Sequence, residues 1–348
     1  MKQRNEWHRA AKGVVDAMKM ESEVLFKMGR IGTSRNYGSA YRSFGRFLSA
    51  RGLGCMGFDK LTVGLLSDYE QWLWHKGVSR NSSSSYLRCM RAVYNKYMGT
   101  DGDNRLFMHV YTGCASTRKR AISAADMRSV IQLDIADALQ KRTLNMEKRR
   151  QRGLERMAEK LECTRDYFVF CLSCRGLTFV DLAFLRHSDI DGAFISYRRK
   201  KTGQEIRVRL EPVMWNIIMR RQTQDAGAGA FLFPIIESGC RGMMSRWQHL
   251  PVTEMQYMAY RRALNAYNWY LKILGKLVSP GLNLTSYVSR HTWATLAYRS
   301  EVPLPVISKA MGHASVQTTQ IYLQSFTDSE IDLANRMVLK RYIDGVMG

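Results

Sequence analysis

Arg290, His313 and Tyr322 stand within 33 residues of one another near the carboxyl end of the 348-residue chain, the histidine nine residues before the tyrosine. A guanidinium can fork two phosphate oxygens, which an ammonium does less well. An imidazole can donate a hydrogen bond to a phosphate or assist a proton transfer. A phenol can hold a phosphate covalently. Together they suit phosphodiester exchange, which without a metal also needs an acid for the leaving oxygen and rigid positioning of every group. The chain has no GxxxxGK[ST] loop for a nucleotide and no run of clustered carboxylates for Mg²⁺. With no ATP to drive rejoining, the energy of a cut strand must be kept in a covalent link, and a phosphotyrosine does that. A tyrosine by itself says little, since the chain holds 17. Its place after Gly312-His313 is what singles Tyr322 out.

The motifs around these residues resemble the tyrosine recombinases, the phage-integrase family. The stretch Tyr287-Val288-Ser289-Arg290-His291-Thr292 lies where that family has His-x-x-Arg-His-Thr. Gly312-His313 matches its Gly-His, and Thr318-Thr319-Gln320-Ile321-Tyr322 its Thr-Thr-x-x-Tyr. The resemblance spans about residues 30–325 and is strongest from Tyr287 to Tyr322. It implies that Tyr322 attacks a scissile phosphate to give a 3′-phosphotyrosyl link and a free 5′-hydroxyl. That hydroxyl then attacks a partner duplex, through a Holliday junction, as in an integrase of a mobile element or an invertase. Arg290 would be the second phosphate-binding arginine and His313 a hydrogen-bond donor or proton carrier. Lys201, in Lys201-Thr202-Gly203, matches the hairpin lysine, a candidate acid for the leaving 5′-oxygen; Lys200 beside it is easily confused with it.

Two positions depart from the family pattern. Tyr287 stands where a histidine is usual, and its phenol is a poorer proton shuttle near neutral pH. Gly176-Leu177-Thr178-Phe179-Val180-Asp181-Leu182 replaces Gly-Leu-Arg-x-x-Glu-Leu, so Thr178 occupies the first arginine's slot. Arg175, three residues upstream, is the first choice to supply that charge, with Arg198 and Arg199 next.

The chain carries 53 Lys+Arg against 30 Asp+Glu, a net charge of +23. Residues 1–120 hold 21 basic against 9 acidic side chains, so the excess is not a tail on a neutral body. Such a field attracts a polyanion, and duplex DNA is the first candidate. With 45% hydrophobic residues the chain is globular and long enough for two cores. No apolar run reaches spanning length and no signal peptide opens the chain, which argues against a membrane partner. Seven scattered cysteines suit a reducing compartment, and a cytoplasmic, nucleoid-associated protein is expected. Cys171 and Cys174 lack a second ligand pair for zinc and read as buried thiols at a helix end. No metal site or cofactor is expected.

The elements that must position these residues follow from periodicity. Residues 1–30 read as a polar helical lead-in. Ser34 reads as the cap of a helix through Tyr37, Tyr41, Phe44, Phe47 and Leu48, ended by Gly52. Thr62 caps a second helix, ended by Gly77, and a third follows Ser79. These form a helical, SAM-like core-binding bundle over residues 31–115. Its basic rim supplies candidate DNA contacts at Arg35, Arg42, Arg80, Arg88 and Arg91, continued by Arg118, Lys119 and Arg120 in a linker across residues 99–120.

The catalytic domain over residues 116–325 is expected to be α+β. Its first helix is capped at Ser123 with Met127, Val130 and Ile131 buried, and a dense basic run covers residues 141–156. A buried helix over Tyr167–Leu172 is broken at Arg175-Gly176, and Thr178 with Asp181 opens the next. Phe194–Tyr197 and Ile206–Leu210 form the strands of a hairpin turning at residues 200–203. A tail helix over residues 326–348 would pack on a neighbour or on its own domain.

The whole is mainly α with one small antiparallel sheet. The expected partners are duplex DNA bearing specific recombination sites, three further copies of the chain on two such sites, and accessory DNA-bending proteins. Two other functions stay open: a type IB topoisomerase-like relaxase, and a non-catalytic DNA-binding regulator on a recombinase scaffold.

Overall fold

The computed structural model describes residues 11–99, 105–115, 121–142, 148–224, 229–236, 252–313 and 315–323. The chain divides into two compact units, residues 1–118 with 249–257 and residues 119–248 with 258–348.

Among the described residues the first unit is a bundle of four α-helices: α1 (Val14–Lys27), α2 (Ile31–Ala50), α3 (Val63–His75) and α4 (Arg80–Met98). Its core is aromatic. The Tyr69 ring sits 5.1 Å from both Phe44 and Phe47, and its hydroxyl donates to Ser43 Oγ at 2.9 Å, so burial leaves no polar atom unsatisfied there. α3 starts as expected, with Thr62 Oγ1 accepting from the Leu65 amide.

Three expectations need correction. Ser34 lies inside α2, not at its cap: the chain turns at left-handed Gly29, the helix begins at Ile31, and Ser34 is buried against the Ser22 hydroxyl. Residues 14–27 are not a lead-in, because Val14, Ala17, Met18 and Leu25 of α1 are buried, most of them in the bundle core. The described second half of the expected linker, residues 105–115, is packed rather than merely connecting. Leu106, Phe107 and Val110 are buried in the same core. Asn81 grips the backbone of Ala115 from both sides, donating to its carbonyl at 3.0 Å and accepting from its amide at 2.8 Å.

The second unit is built on α7 (Lys148–Ser173), preceded by α5 (Ala124–Gln132) and α6 (Ile135–Arg142). A capping box at Ser123 and Asp126 starts α5; Met127 and Val130 are buried, but Ile131 is 46% exposed because the short helix turns only its 127/130 edge inward. After α7 come α8 (Phe179–Ala183) and a three-stranded antiparallel sheet, β1 (Ile190–Asp191), β2 (Phe194–Arg198) and β3 (Glu205–Arg209). Ile195 faces Val208 and Tyr197 faces Ile206; all four are buried, so one face of the hairpin lies on the core. The unit continues with α9 (Pro212–Arg221), α10 (Glu254–Val278, of which residues from 258 on belong to this unit), α11 (Val288–Arg299), α12 (Leu304–Ala310) and α13 (Val316–Leu323). Cys171 and Cys174 are buried free thiols, as expected. The tail expected over residues 326–348 lies outside the described residues.

The Asn81 clamp yields a direct test. Asn81→Ala leaves a backbone amide and a carbonyl without partners, at a cost of about 1–3 kcal/mol. Denaturant unfolding should show that loss, with faster amide exchange confined to residues 105–115.

Candidate active site

Arg290 lies in the first turn of α11 and is 3% exposed. A buried guanidinium needs acceptors, and the described residues place at least three around it. Its Nη1 donates to the Gly176 carbonyl at 2.6 Å, and its Nη2 to the Met311 carbonyl at 2.7 Å and to His313 Nε2 at 2.8 Å. One side chain thus gathers the turn after α7, the end of α12 and the histidine loop. Gly176 makes the close approach possible. It has φ +72°, and a Cβ there would lie 3.0 Å from Arg290 Cα.

α12 ends in left-handed Gly312, with the His313 amide bonded back to the Ser308 carbonyl. A Cβ on Gly312 would sit 2.7 Å from Arg199 Cδ, so the Gly-His pair is a requirement of backbone conformation and of packing. Because Nη2 of Arg290 can only donate, His313 Nε2 must accept, and the ring proton lies on Nδ1, 2.8 Å from Thr319 Oγ1. Burial, then the charges of Arg290, Arg199 and Lys201, push the imidazole down to about 3 from its usual 6.5. His313 is therefore a neutral side chain at physiological pH. Thr319 is fully buried on α13, the helix whose last turn contains Tyr322. By helix geometry Tyr322 is one turn on, about 4.5 Å along the axis; its side chain is not among those described.

The hairpin closes the other side. Arg199 is 5% exposed and donates to the Gly312 carbonyl at 2.6 Å; Thr202 Oγ1 reaches the same carbonyl at 3.4 Å, and Gln204 donates to the His313 carbonyl at 3.3 Å. Lys201 is exposed at the turn, its charge felt by His313. Lys200 is separated from it by packing: its amide donates to Asp181 and its ammonium lies 4.9 Å from the Phe184 ring. A cleft of about 360 Å³, lined in part by Gln204, Ser308, Lys309 and His313, opens beside this junction.

Among the three arginines weighed for the missing charge, the structure brings Arg199 to the histidine. Arg198 points away to an exposed pair with Glu205. Arg175 is half-buried with φ +54°, next to Gly176, and among the described residues it makes no hydrogen bond or ion pair. Thr178 is taken up by its cap: it accepts from the Asp181 amide and donates to Asp181 Oδ2 at 2.6 Å. Asp181 is buried, which pushes its carboxyl up against the opposing pull of Thr178, the Lys200 amide and Arg199, whose Nε is 3.9 Å away. Asp181 and Thr319 escaped sequence reading as members of the site; the cap motif and the Thr-Thr pair were the available signals.

Tyr287, 52% exposed, is the N-cap of α11, one turn before Arg290, its ring 6.4 Å from that of His291. The candidate DNA contacts are dispersed over two helices. Arg35 and Arg42 are exposed on α2; Arg80, Arg88 and Arg91 are exposed on α4. Arg80 stacks 4.0 Å from the Tyr111 ring and Arg91 donates to Thr112, so both also hold the docked segment. Arg118, Lys119 and Arg120 lie outside the described residues. Among the described residues no group of three His, Cys, Asp or Glu could hold a metal, and no helix is long and apolar enough to cross a membrane.

This arrangement of basic groups between a hairpin and a Gly-His loop belongs to a known class. Residues 154–328 match the phage integrase family and residues 14–99 the phage integrase SAM-like domain. The chain belongs to the phage integrase family. It is 40% identical over 65 residues to tyrosine recombinase XerA of Saccharolobus solfataricus, covering 19% of this chain and 21% of that protein. It is 25% identical over 179 residues to a tyrosine recombinase of Agathobacter rectalis, covering 50% of this chain and 52% of that protein. The matches thus span about half or less of those relatives. The fold is shared with the Tn1549 transposon integrase solved in complex with transposon right end DNA, at a TM-score of 0.57 and 14% identity over 95% of this chain and 99% of that one.

The depressed histidine gives a pH test with a definite sign. Below about pH 6.5 the unfolded chain binds a proton that the folded imidazole refuses, so stability falls on acidification from 6.5 toward 3. NMR titration should show His313 neutral throughout that window, and His313→Asn should flatten the loss of unfolding free energy across it.

Proposed function

We propose that this chain is a site-specific DNA recombinase, an integrase or invertase, that cuts and rejoins duplex DNA through a phosphotyrosine at Tyr322. The observation that carries this reading is the convergence of Arg290, Arg199 and the neutral His313 beside the helix that contains Tyr322. A scissile phosphate there would meet two guanidiniums that are fixed before it arrives. Preorganised charge of that kind offsets the negative charge built up on the phosphorane. Arg199, paired with Asp181, takes the part of the arginine that Thr178 replaces. Arg175, in a strained left-handed conformation at the site's edge, is a further phosphate contact. His313 hydrogen-bonds the phosphate, Lys201 protonates the leaving 5′-oxygen, and Tyr287 lies at the exposed rim.

The cut strand is held as a 3′-phosphotyrosyl ester whose energy is returned when a 5′-hydroxyl attacks it, so neither ATP nor a metal is called for. Exchange between two duplexes breaks four strands, one tyrosine for each, and four protomers on two sites meet that count. The exposed arginines of α2 and α4, with Arg118, Lys119 and Arg120, grip the duplex backbone; accessory DNA-bending proteins would assist in pairing the sites. The protein works where DNA is found, in the cytoplasm at the nucleoid.

A suicide duplex nicked near the cleavage point tests this. It should yield a protein–DNA adduct that persists in EDTA without ATP and disappears in Tyr322→Phe. A mobility shift with no adduct would favour a DNA-binding regulator, and relaxation of one duplex without exchange would favour a topoisomerase-like enzyme. Arg199→Ala should slow adduct formation by about 10²–10³-fold. Arg175→Gly separates function from folding: relief of the left-handed backbone should leave stability unchanged or raise it by up to about 1 kcal/mol, while adduct formation falls.

A further inference from the structure

We propose that Thr319 is the positioning residue that lets the His313 proton pass from one ring nitrogen to the other, and that the DNA-free site holds the tautomer opposite to the one a bound phosphate requires. This rests on the reading above, in which a phosphate occupies the site beside Arg290 and His313.

The geometry leaves one assignment for the free protein. Arg290 Nη2 is a donor in every protonation state it reaches, and it lies 2.8 Å from His313 Nε2. Nε2 must accept, so Nδ1 carries the hydrogen and donates to Thr319 Oγ1 at 2.8 Å. In this state the two groups meant to receive a phosphate are bonded to each other, and His313 offers its lone pair to the site. A phosphate oxygen is an acceptor; an imidazole lone pair facing it would repel it. Binding therefore needs the phosphate to take the Arg290 Nη2 hydrogen in place of the ring, and His313 to present Nε2–H. The proton on Nδ1 is given up to solvent and one is taken up on Nε2, with no net gain or loss.

Thr319 allows the change at little cost. It is fully buried, so the hydroxyl faces no competing bulk water, and a hydroxyl can accept from Nδ1–H or donate to bare Nδ1 by rotating one bond. Serine shares that ability; valine, of nearly the same shape, lacks it. Because Thr319 is on α13 one turn before Tyr322, the histidine's proton state is read by the helix that contains the nucleophile.

Histidine-labelled full-length protein, followed by ¹⁵N NMR, tests the proposal with inorganic phosphate as the probe. The DNA-free protein should show His313 with hydrogen on Nδ1, and saturating phosphate should move it to Nε2. Thr319→Val should keep the hydrogen on Nδ1 in the free protein, where Arg290 still holds it, but weaken the phosphate-induced move to Nε2 and slow adduct formation on the suicide duplex about five- to tenfold; Thr319→Ser should restore both. Thr319→Ala serves in its place if valine disturbs the helix. A free protein already protonated on Nε2, a tautomer indifferent to phosphate, or a Thr319→Val protein that responds to phosphate as the wild type does would overturn the proposal. The two readings fail separately. A tautomer change without any Tyr322 adduct removes the recombinase reading, whereas an adduct with an unchanging tautomer removes this inference alone.

Discussion

The second unit depends on giving a buried guanidinium enough acceptors. Arg290 has almost no access to water, and an unpaired cation there would cost several kcal/mol. The chain answers with two backbone carbonyls and an imidazole drawn from segments 114 and 21–23 residues distant. Everything else in the site is consistent with that need. Gly176 brings its carbonyl close enough to accept; Gly312 turns the chain so that Met311 and His313 face the same cation. The histidine is neutral because burial disfavours its charged form, and a proton on Nε2 would also point at a guanidinium.

A second buried arginine approaches from the opposite side, its Nε without a hydrogen-bond partner among the described residues. Arg199 donates to the Gly312 carbonyl and lies near Asp181, which is itself held by Thr178 and the Lys200 amide. The hairpin and the Gly-His loop are therefore joined by three side chains, Arg199, Thr202 and Gln204. Lys201 sits at the tip of that tied hairpin, lying in sequence between Arg199 and Thr202. Two guanidiniums and an ammonium around one buried carboxylate leave a local excess of positive charge, in keeping with the +23 of the whole chain. An anion would complete the site, and in a low-dielectric pocket it would be held more strongly than on the surface.

Much of this was legible in the sequence, and the losses have physical causes. Alternation of apolar residues marked the hairpin, and Thr62, Ser123 and Thr178 marked helix starts, because caps and strand faces are local properties. Arg290, His313 and Lys201 could be named from motif and spacing. Arg199 stood only as a second choice, since what distinguishes it from Arg198 is burial against Gly312, a contact 113 residues away. Ser34 was misplaced because its hydroxyl is satisfied by Ser22 across a helix pair, which no local pattern records. The docking of residues 105–115 was hidden in the same way: turn signals dominate that stretch, while the Asn81 clamp that fixes it comes from α4.

The central claim is that a phenol on α13 receives the cut strand. It can be tested without any variant by trapping the full-length protein on a nicked duplex from the DNA flanking its gene, digesting with nuclease and protease, and sequencing the modified peptide by mass spectrometry. A nucleotide 3′-phosphate on Tyr322 is the predicted result. The same mass on any of the other 16 tyrosines, or on a serine, would contradict it.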